Sequence, residues 1–125
     1  MIDEMSTVKK LQGLDVWVNS RSLVRSIYSV TASASWKHDF NFVNQLRSAS
    51  VSTMSNIAEG YGRSSTREFA RFLDIARGSA FEVQSLVCIG TDVGYLDQKT
   101  ADQLLETADH IVAQITSFKR YLRNR

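Results

Sequence analysis

Apolar residues recur along this chain at spacings of three and four, the pattern of helices that turn one face inward. The last segment shows it most cleanly: Ala101, Leu104, Ala108, Ile111, Ile115, Phe118 and Leu122 form an unbroken seam, as expected of a helix packed against others at a shallow angle. Near the start, Trp17, Ser20, Val24, Ile27 and Thr31 make a second stripe, widened by Val16, Leu23 and Tyr28. Phe42, Leu46, Ala49, Thr53, Ile57 and Gly60 make a third, narrow and rich in small residues. No segment alternates with the two-residue period of a strand, and no internal repeat is visible. The pattern predicts helices over about 14–34, 39–60, 65–93 and 97–123, after an N-terminal extension of residues 1–13.

The third of these segments has two apolar faces. One carries Phe69, Leu73, Ala76, Ala80, Val83 and Val87; the other carries Phe72, Ile75, Ser79, Leu86 and Ile89. A single small bundle needs only one such face, because an apolar stripe left in water is costly. The second face is therefore expected to pack against another subunit, with Phe72, Ile75, Leu86 and Ile89 as the oligomer interface. Gly78-Ser79-Ala80 predicts a tight helix crossing that compensates the roughly 1 kcal/mol a glycine costs inside a helix.

Turn residues punctuate the four segments. Asp39 stands where an N-cap belongs. Ser65-Thr66-Arg67-Glu68 reads as a capping box, with Gly60-Tyr61-Gly62 ending the helix before it. Gly94-Tyr95-Leu96-Asp97 supplies a C-terminal glycine, an apolar clasp and an aspartate cap. The link from Ser33 to His38 is polar apart from Trp36. Short links make consecutive helices antiparallel, so the expected fold is all-α, an up-down-up-down four-helix bundle that oligomerises.

Composition narrows the function. The 125 residues make one domain, too short for a catalytic and a separate recognition domain together. There is no proline to interrupt a helix, and the start has no apolar run. No stretch approaches the roughly 18 apolar residues of a membrane span, so a cytoplasmic protein without membrane partners is expected. The lone Cys88 lies in the apolar run Leu86-Val87-Cys88-Ile89 and reads as a buried thiol. Net charge is only +2, but it is unevenly spread: Asp97, Asp102, Glu106 and Asp109 are followed by Lys119, Arg120, Arg123 and Arg125. This order complements the helix dipole and also offers a basic terminal turn.

Catalytic chemistry finds little support. Gly60-Tyr61-Gly62-Arg63-Ser64-Ser65 has neither the glycine spacing nor the preceding strand of a nucleotide loop. Amides at the start of the third helix, with Arg63 and Arg67, are nonetheless suited to holding one phosphate. Only His38 and His110 are present, too few for a bundle metal site, and Glu106 with His110 has the spacing of a surface pair. Ser48, Ser50, Ser52 and Ser55 have no histidine near them in sequence. The chain is read as a non-enzyme with no catalytic residue, metal or cofactor. What remains is the polar series Gln45, Arg47, Asn56, Glu59, Arg63, Glu68, Arg71, Arg77 and Glu82 across the middle helices. It reads either as a solvated face with ion pairs such as Arg67 with Asp74, or as an arginine-lined groove for a nucleic-acid backbone.

Leu14-Asp15-Val16-Trp17, Ile27-Tyr28-x-x-Thr31, Gln45-x-Arg47, Ser55-Asn56-Ile57-Ala58-Glu59-Gly60-x-Gly62-Arg63, Glu68-Phe69-x-x-Phe72-Leu73-x-Ile75-Ala76-x-Gly78-Ser79-x-x-Glu82 and Gly94-Tyr95 together resemble the bacterial S23, or 23S ribosomal RNA intervening-sequence, proteins. That resemblance covers nearly the whole chain. It implies a homopentamer of four-helix bundles, and a kinship with accessory variability determinants of retroelements that associate with a reverse transcriptase and nucleic acid. The matching motif positions are Asn56, Glu59, Gly60, Gly62, Arg63, Glu68, Gly78, Ser79 and Glu82; the acids are read as structural and the arginines as contacts. Met54 stands where the family commonly has proline, so the second helix is expected to run straight. Ser48 replaces a common second arginine, and Ser35-Trp36 a Phe-Pro pair.

The leading expectation is an oligomeric bundle that binds nucleic acid, RNA ahead of DNA, through Arg47, Arg63, Arg67, Arg71, Arg77, Lys119, Arg120 and Arg123. Gln45 and the motif residues would shape the groove. The competing class is a protein-interaction scaffold, such as a partner of a reverse transcriptase, with no nucleic-acid contact.

Overall fold

A computed structural model describes residues 10–33 and 35–124 and is all-helical across them. A 3-10 turn, Leu11–Gly13, leads into α1 (Asp15–Ser33), α2 (Phe40–Tyr61), α3 (Thr66–Asp92) and α4 (Gln98–Arg123). Residues 1–9 of the expected extension, Ala34 and Arg125 lie outside the described part. Each helix packs on its neighbour in sequence, and α1 closes the ring against α4. Between α3 and α4, rising numbers meet falling ones, Asp74 at Lys119 and Gln84 at Asp109, and Ser52 of α2 meets Ser79 of α3.

The inward stripes are the ones spaced by three and four. Leu23, Ile27, Leu46, Ile57, Leu73, Val83, Ile111 and Ile115 are fully enclosed, and Phe69 meets Phe118 edge-on at 5.2 Å between ring centroids. Hydroxyls caught in the core spend their proton one turn back: Ser20 donates to the Val16 carbonyl, Thr31 to Ile27 and Thr53 to Ala49, each within 2.9 Å. Such back-bonding lets a narrow, close-packed stripe include polar residues without an unsatisfied group.

The caps are built from the residues that turn chemistry calls for. Asp39 accepts from the Phe42 amide, Ser65 from Glu68 and Asp97 from Thr100. Only the Ser65 half of the capping box is formed, because the Glu68 carboxylate accepts from Arg71. At the end of α3, Gly94 takes the left-handed conformation, φ +81°, which spares a side chain the clash it would meet there. That turn brings the Tyr95 and Leu96 amides back to the Gly90 carbonyl. Trp36 stacks on Tyr95 at 4.9 Å and donates to its carbonyl, pinning the α1–α2 link to the α3–α4 turn.

Four expectations are corrected. Cys88 is exposed, since along α3 it lies a 100° step beyond the buried Val87 and helical phase overrides the local apolar run. Gly60 lies inside α2, and Gly62 caps it with an ordinary right-handed backbone. No tight crossing within the chain occurs at Gly78: among the described residues outside its own helix backbone, nothing approaches within 4 Å of where its Cβ would be. The close approach of α2 and α3 is at Gly60, where an added Cβ would sit 2.8 Å from the Phe72 Cβ. Finally, Asp74 pairs with Lys119 at 2.7 Å, not with Arg67.

Candidate nucleic-acid interface

The cations singled out in the sequence fall into distinct environments. Arg47 donates from Nε to the Thr31 hydroxyl at 2.8 Å and lies over the Tyr28 ring at 4.3 Å, clamping α2 to α1. Arg63 pairs with Glu59 at 2.8 Å and Arg71 with Glu68 at 3.1 Å, and both guanidinium groups lie over the Phe72 ring. The hydrogen bond from Arg71, reinforced by the positive charge of Arg71 itself and of Arg63 and Arg67, holds the Glu68 carboxyl below its usual pKa. These three arginines are thus already engaged. Arg120, in the last turn of α4, is exposed and stands apart from the clefts.

The remaining four converge. Arg67 and Arg77 from α3 and Lys119 and Arg123 from α4 line one cleft of about 470 Å³, with Thr66, Ala70, Thr116 and Leu122 completing its wall. A shallower groove holding Arg67, Glu68, Arg71, Asp74 and Lys119 adjoins it. Helical phase explains the convergence: 67, 70, 74 and 77 follow one face of α3, and 116, 119 and 123 follow the facing side of α4. Among the described residues, Asp74 is the one carboxylate ion-paired with a cation of this cleft, through Lys119, whose hydrogen bond holds the Asp74 carboxyl below its usual pKa. The Nε of Arg77 is buried with no hydrogen-bond partner.

The family-motif residues mostly join α2 to α3. Asn56 donates to the Ser52 carbonyl and hydroxyl, and the Ser52 and Ser79 hydroxyls share a hydrogen bond across the helices at 2.9 Å. Gln45 bonds Asn41 within α2, while Glu82 and Gly78 are exposed. Glu59, Gly62 and Arg63 border a shallow dish with Ser55 and Ala58. Of the residues expected to form an interface, Ile75 and Ile89 are open to solvent, at 41% and 48%, but Leu86 packs on the core of its own chain and Phe72 is half-buried under the two arginines. The sequence pattern did not single out Phe81 on α3 or Val93 at its C-cap, which add to the exposed apolar surface. It also did not single out Thr66, Ala70 and Leu122 for the cleft; the spacing of Ala70 three residues after Arg67 was the available signal.

Residues 12–117 match the family described as 23S rRNA-intervening sequence protein. The chain belongs to that family. Its fold is similar to the crystal structure of a protein of unknown function from the S23 ribosomal protein family of Bacteroides thetaiotaomicron, with a TM-score of 0.77, 18% identity, and coverage of 83% of this chain and 97% of the other. No curated protein matches the sequence. Among the described residues of this 23S rRNA-intervening sequence family member, no helix is long and apolar enough to cross a membrane, and no three metal-binding side chains gather.

Proposed function

We propose that this family member is a non-enzymatic, self-associating antiparallel helical bundle that binds nucleic acid, RNA in the first place, in the cleft between α3 and α4. The observation that carries this reading is the convergence of Arg67, Arg77, Lys119 and Arg123 on one concave surface whose only ion-paired carboxylate among the described residues is Asp74. Like charges are gathered at a cost in self-repulsion, and a polyanion relieves it while releasing its own counterions. The family's name, which refers to ribosomal RNA, agrees with an RNA ligand. The basic reach narrows from eight cations to the four of the cleft, because Arg47, Arg63 and Arg71 are engaged in contacts within the chain and Arg120 stands apart.

A scaffold reading has its own support in the exposed Ile75, Phe81 and Ile89 on α3 and Val93 just past its end. The two readings combine if copies of the chain cover that apolar surface and leave the cleft open. A homopentamer fits this arrangement, and a reverse transcriptase would be a further occupant of the same surface.

Fluorescence anisotropy with a single-stranded RNA at two salt concentrations tests the reading. Affinity should fall with salt, by about 0.7 log unit per log unit of salt for each phosphate neutralised. Replacing Arg67 and Arg123 together by alanine should weaken binding about tenfold. Absence of binding at low salt, or an unchanged affinity in the double variant, overturns it.

A further inference from the structure

Resting on that reading, we infer that the α3–α4 cleft takes a single phosphomonoester carried on a nucleoside, the phosphorylated end of an RNA strand, and does not track a continuous backbone. The shape points this way first. At about 470 Å³ the cleft is a recess bounded by two helices, within the range of small-ligand pockets of about 300–1,000 Å³. A diester backbone passing over a surface presents one charge per phosphate and is matched by a row of exposed cations. Here the cations come from both sides to one place.

The charge points the same way. A terminal phosphate carries close to two negative charges near neutral pH and three strongly accepting oxygens. It can therefore occupy several guanidinium donors at once, and guanidinium groups favour paired hydrogen bonds to phosphate. Arg67, Arg77 and Arg123 have no ion pair within 4 Å among the described residues, and the Arg77 Nε is a buried donor with no acceptor. Thr66 opens α3 at the rim, and Ala70 with Leu122 provides an apolar wall for a ribose or base.

Lys119 is divided between two roles. It lines both the cleft and the adjoining groove, and Asp74 holds its ammonium at 2.7 Å. A doubly charged phosphate in the cleft competes with the single carboxylate of Asp74 for Lys119. Removing that carboxylate should therefore raise phosphate affinity, although no contact to the ligand is added.

The same chemistry can come from a free nucleotide or from an RNA end, and the experiment separates the two. One oligoribonucleotide is compared with a 5′-phosphate, with a 3′-phosphate and with hydroxyls at both ends, beside adenosine monophosphate and inorganic phosphate as competitors. The expected result is at least tenfold tighter binding of one phosphorylated form than of the hydroxyl form, lost in Arg67→Gln and Arg123→Gln, both exposed positions. Asp74→Asn should tighten the phosphorylated form several-fold and leave the hydroxyl form unchanged. Equal affinity of all three oligonucleotides overturns this inference and leaves general RNA binding standing. Binding of adenosine monophosphate with none of any oligonucleotide overturns the RNA-end assignment and the RNA reading together, leaving a nucleotide pocket. No binding of any probe overturns both.

Discussion

Gly60 of α2 lies directly against Phe72 of α3: a Cβ on the glycine would come within 2.8 Å of the Phe72 Cβ and 2.9 Å of the Phe69 Cδ1. The Phe72 Cβ is fixed to its backbone and cannot swing aside. An alanine at position 60 would gain about 1 kcal/mol of helix propensity and lose more to overpacking, which typically costs about 1–3 kcal/mol. Gly60→Ala should therefore lower stability in urea unfolding by about 1–2 kcal/mol. A variant as stable as the parent would show that α2 and α3 can part without penalty.

Gly78 is the counterpart on the outer side of α3, with open space around it and Ile75 one turn away. In an isolated chain Gly78→Ala should stabilise by about 1 kcal/mol. If another copy covers this surface, the added methyl group weakens association even as it strengthens the helix. Sedimentation should show the parent above the 14.1 kDa of one chain, with Ile75→Glu plus Ile89→Glu reducing it to that mass. A parent that sediments as a single chain removes the basis for self-association.

Tyr95 donates to one oxygen of Asp39 at 2.7 Å while the other oxygen caps α2, and this hydrogen bond to Asp39 raises the phenol pKa. A raised pKa contributes stability that is intact below the unfolded value of about 10 and is lost as pH rises through the folded one. Tyr95→Phe should lower stability at neutral pH. It should also remove one phenolate step above about pH 10 in an absorbance titration. A lost step at the ordinary phenol value, and not above it, would mean the bond does not form in solution.

Asp97 shows the opposite sign. The Thr100 amide, bonded at 2.7 Å, lowers its pKa, so the cap contributes fully above the unfolded value and is lost as pH falls through the folded one. Asp97→Ala should lower the melting temperature at neutral pH, whereas Asp97→Asn keeps the cap and flattens the loss on acidification. Circular-dichroism melts between neutral pH and about pH 2 will distinguish the pair. A parent and an Asp97→Asn variant with the same acid profile would show that Asp97 carries no acid sensitivity.

The all-helical architecture and its family were legible before any coordinates. Phe69, Leu73, Ala76, Ala80, Val83 and Val87 had to share a face whatever they packed against, and Asp39, Ser65 and Asp97 can cap helices using only atoms nearby in sequence. Cys88 was misjudged because its apolar neighbours along the chain are not its neighbours around the helix.

The site was harder, for a physical reason. Arg63, Arg67 and Arg71 look alike in sequence, yet Arg63 and Arg71 lie over Phe72 with carboxylates three or four residues away, while Arg67 turns toward α4. Lys119 meets Asp74 across 45 residues of chain. Periodicity by itself determined which residues of each helix face inward, because that depends only on the 3.6-residue turn. Which charges meet, and which remain free to meet a ligand, depends on the axial register of one helix on another, and only the tertiary structure decides that.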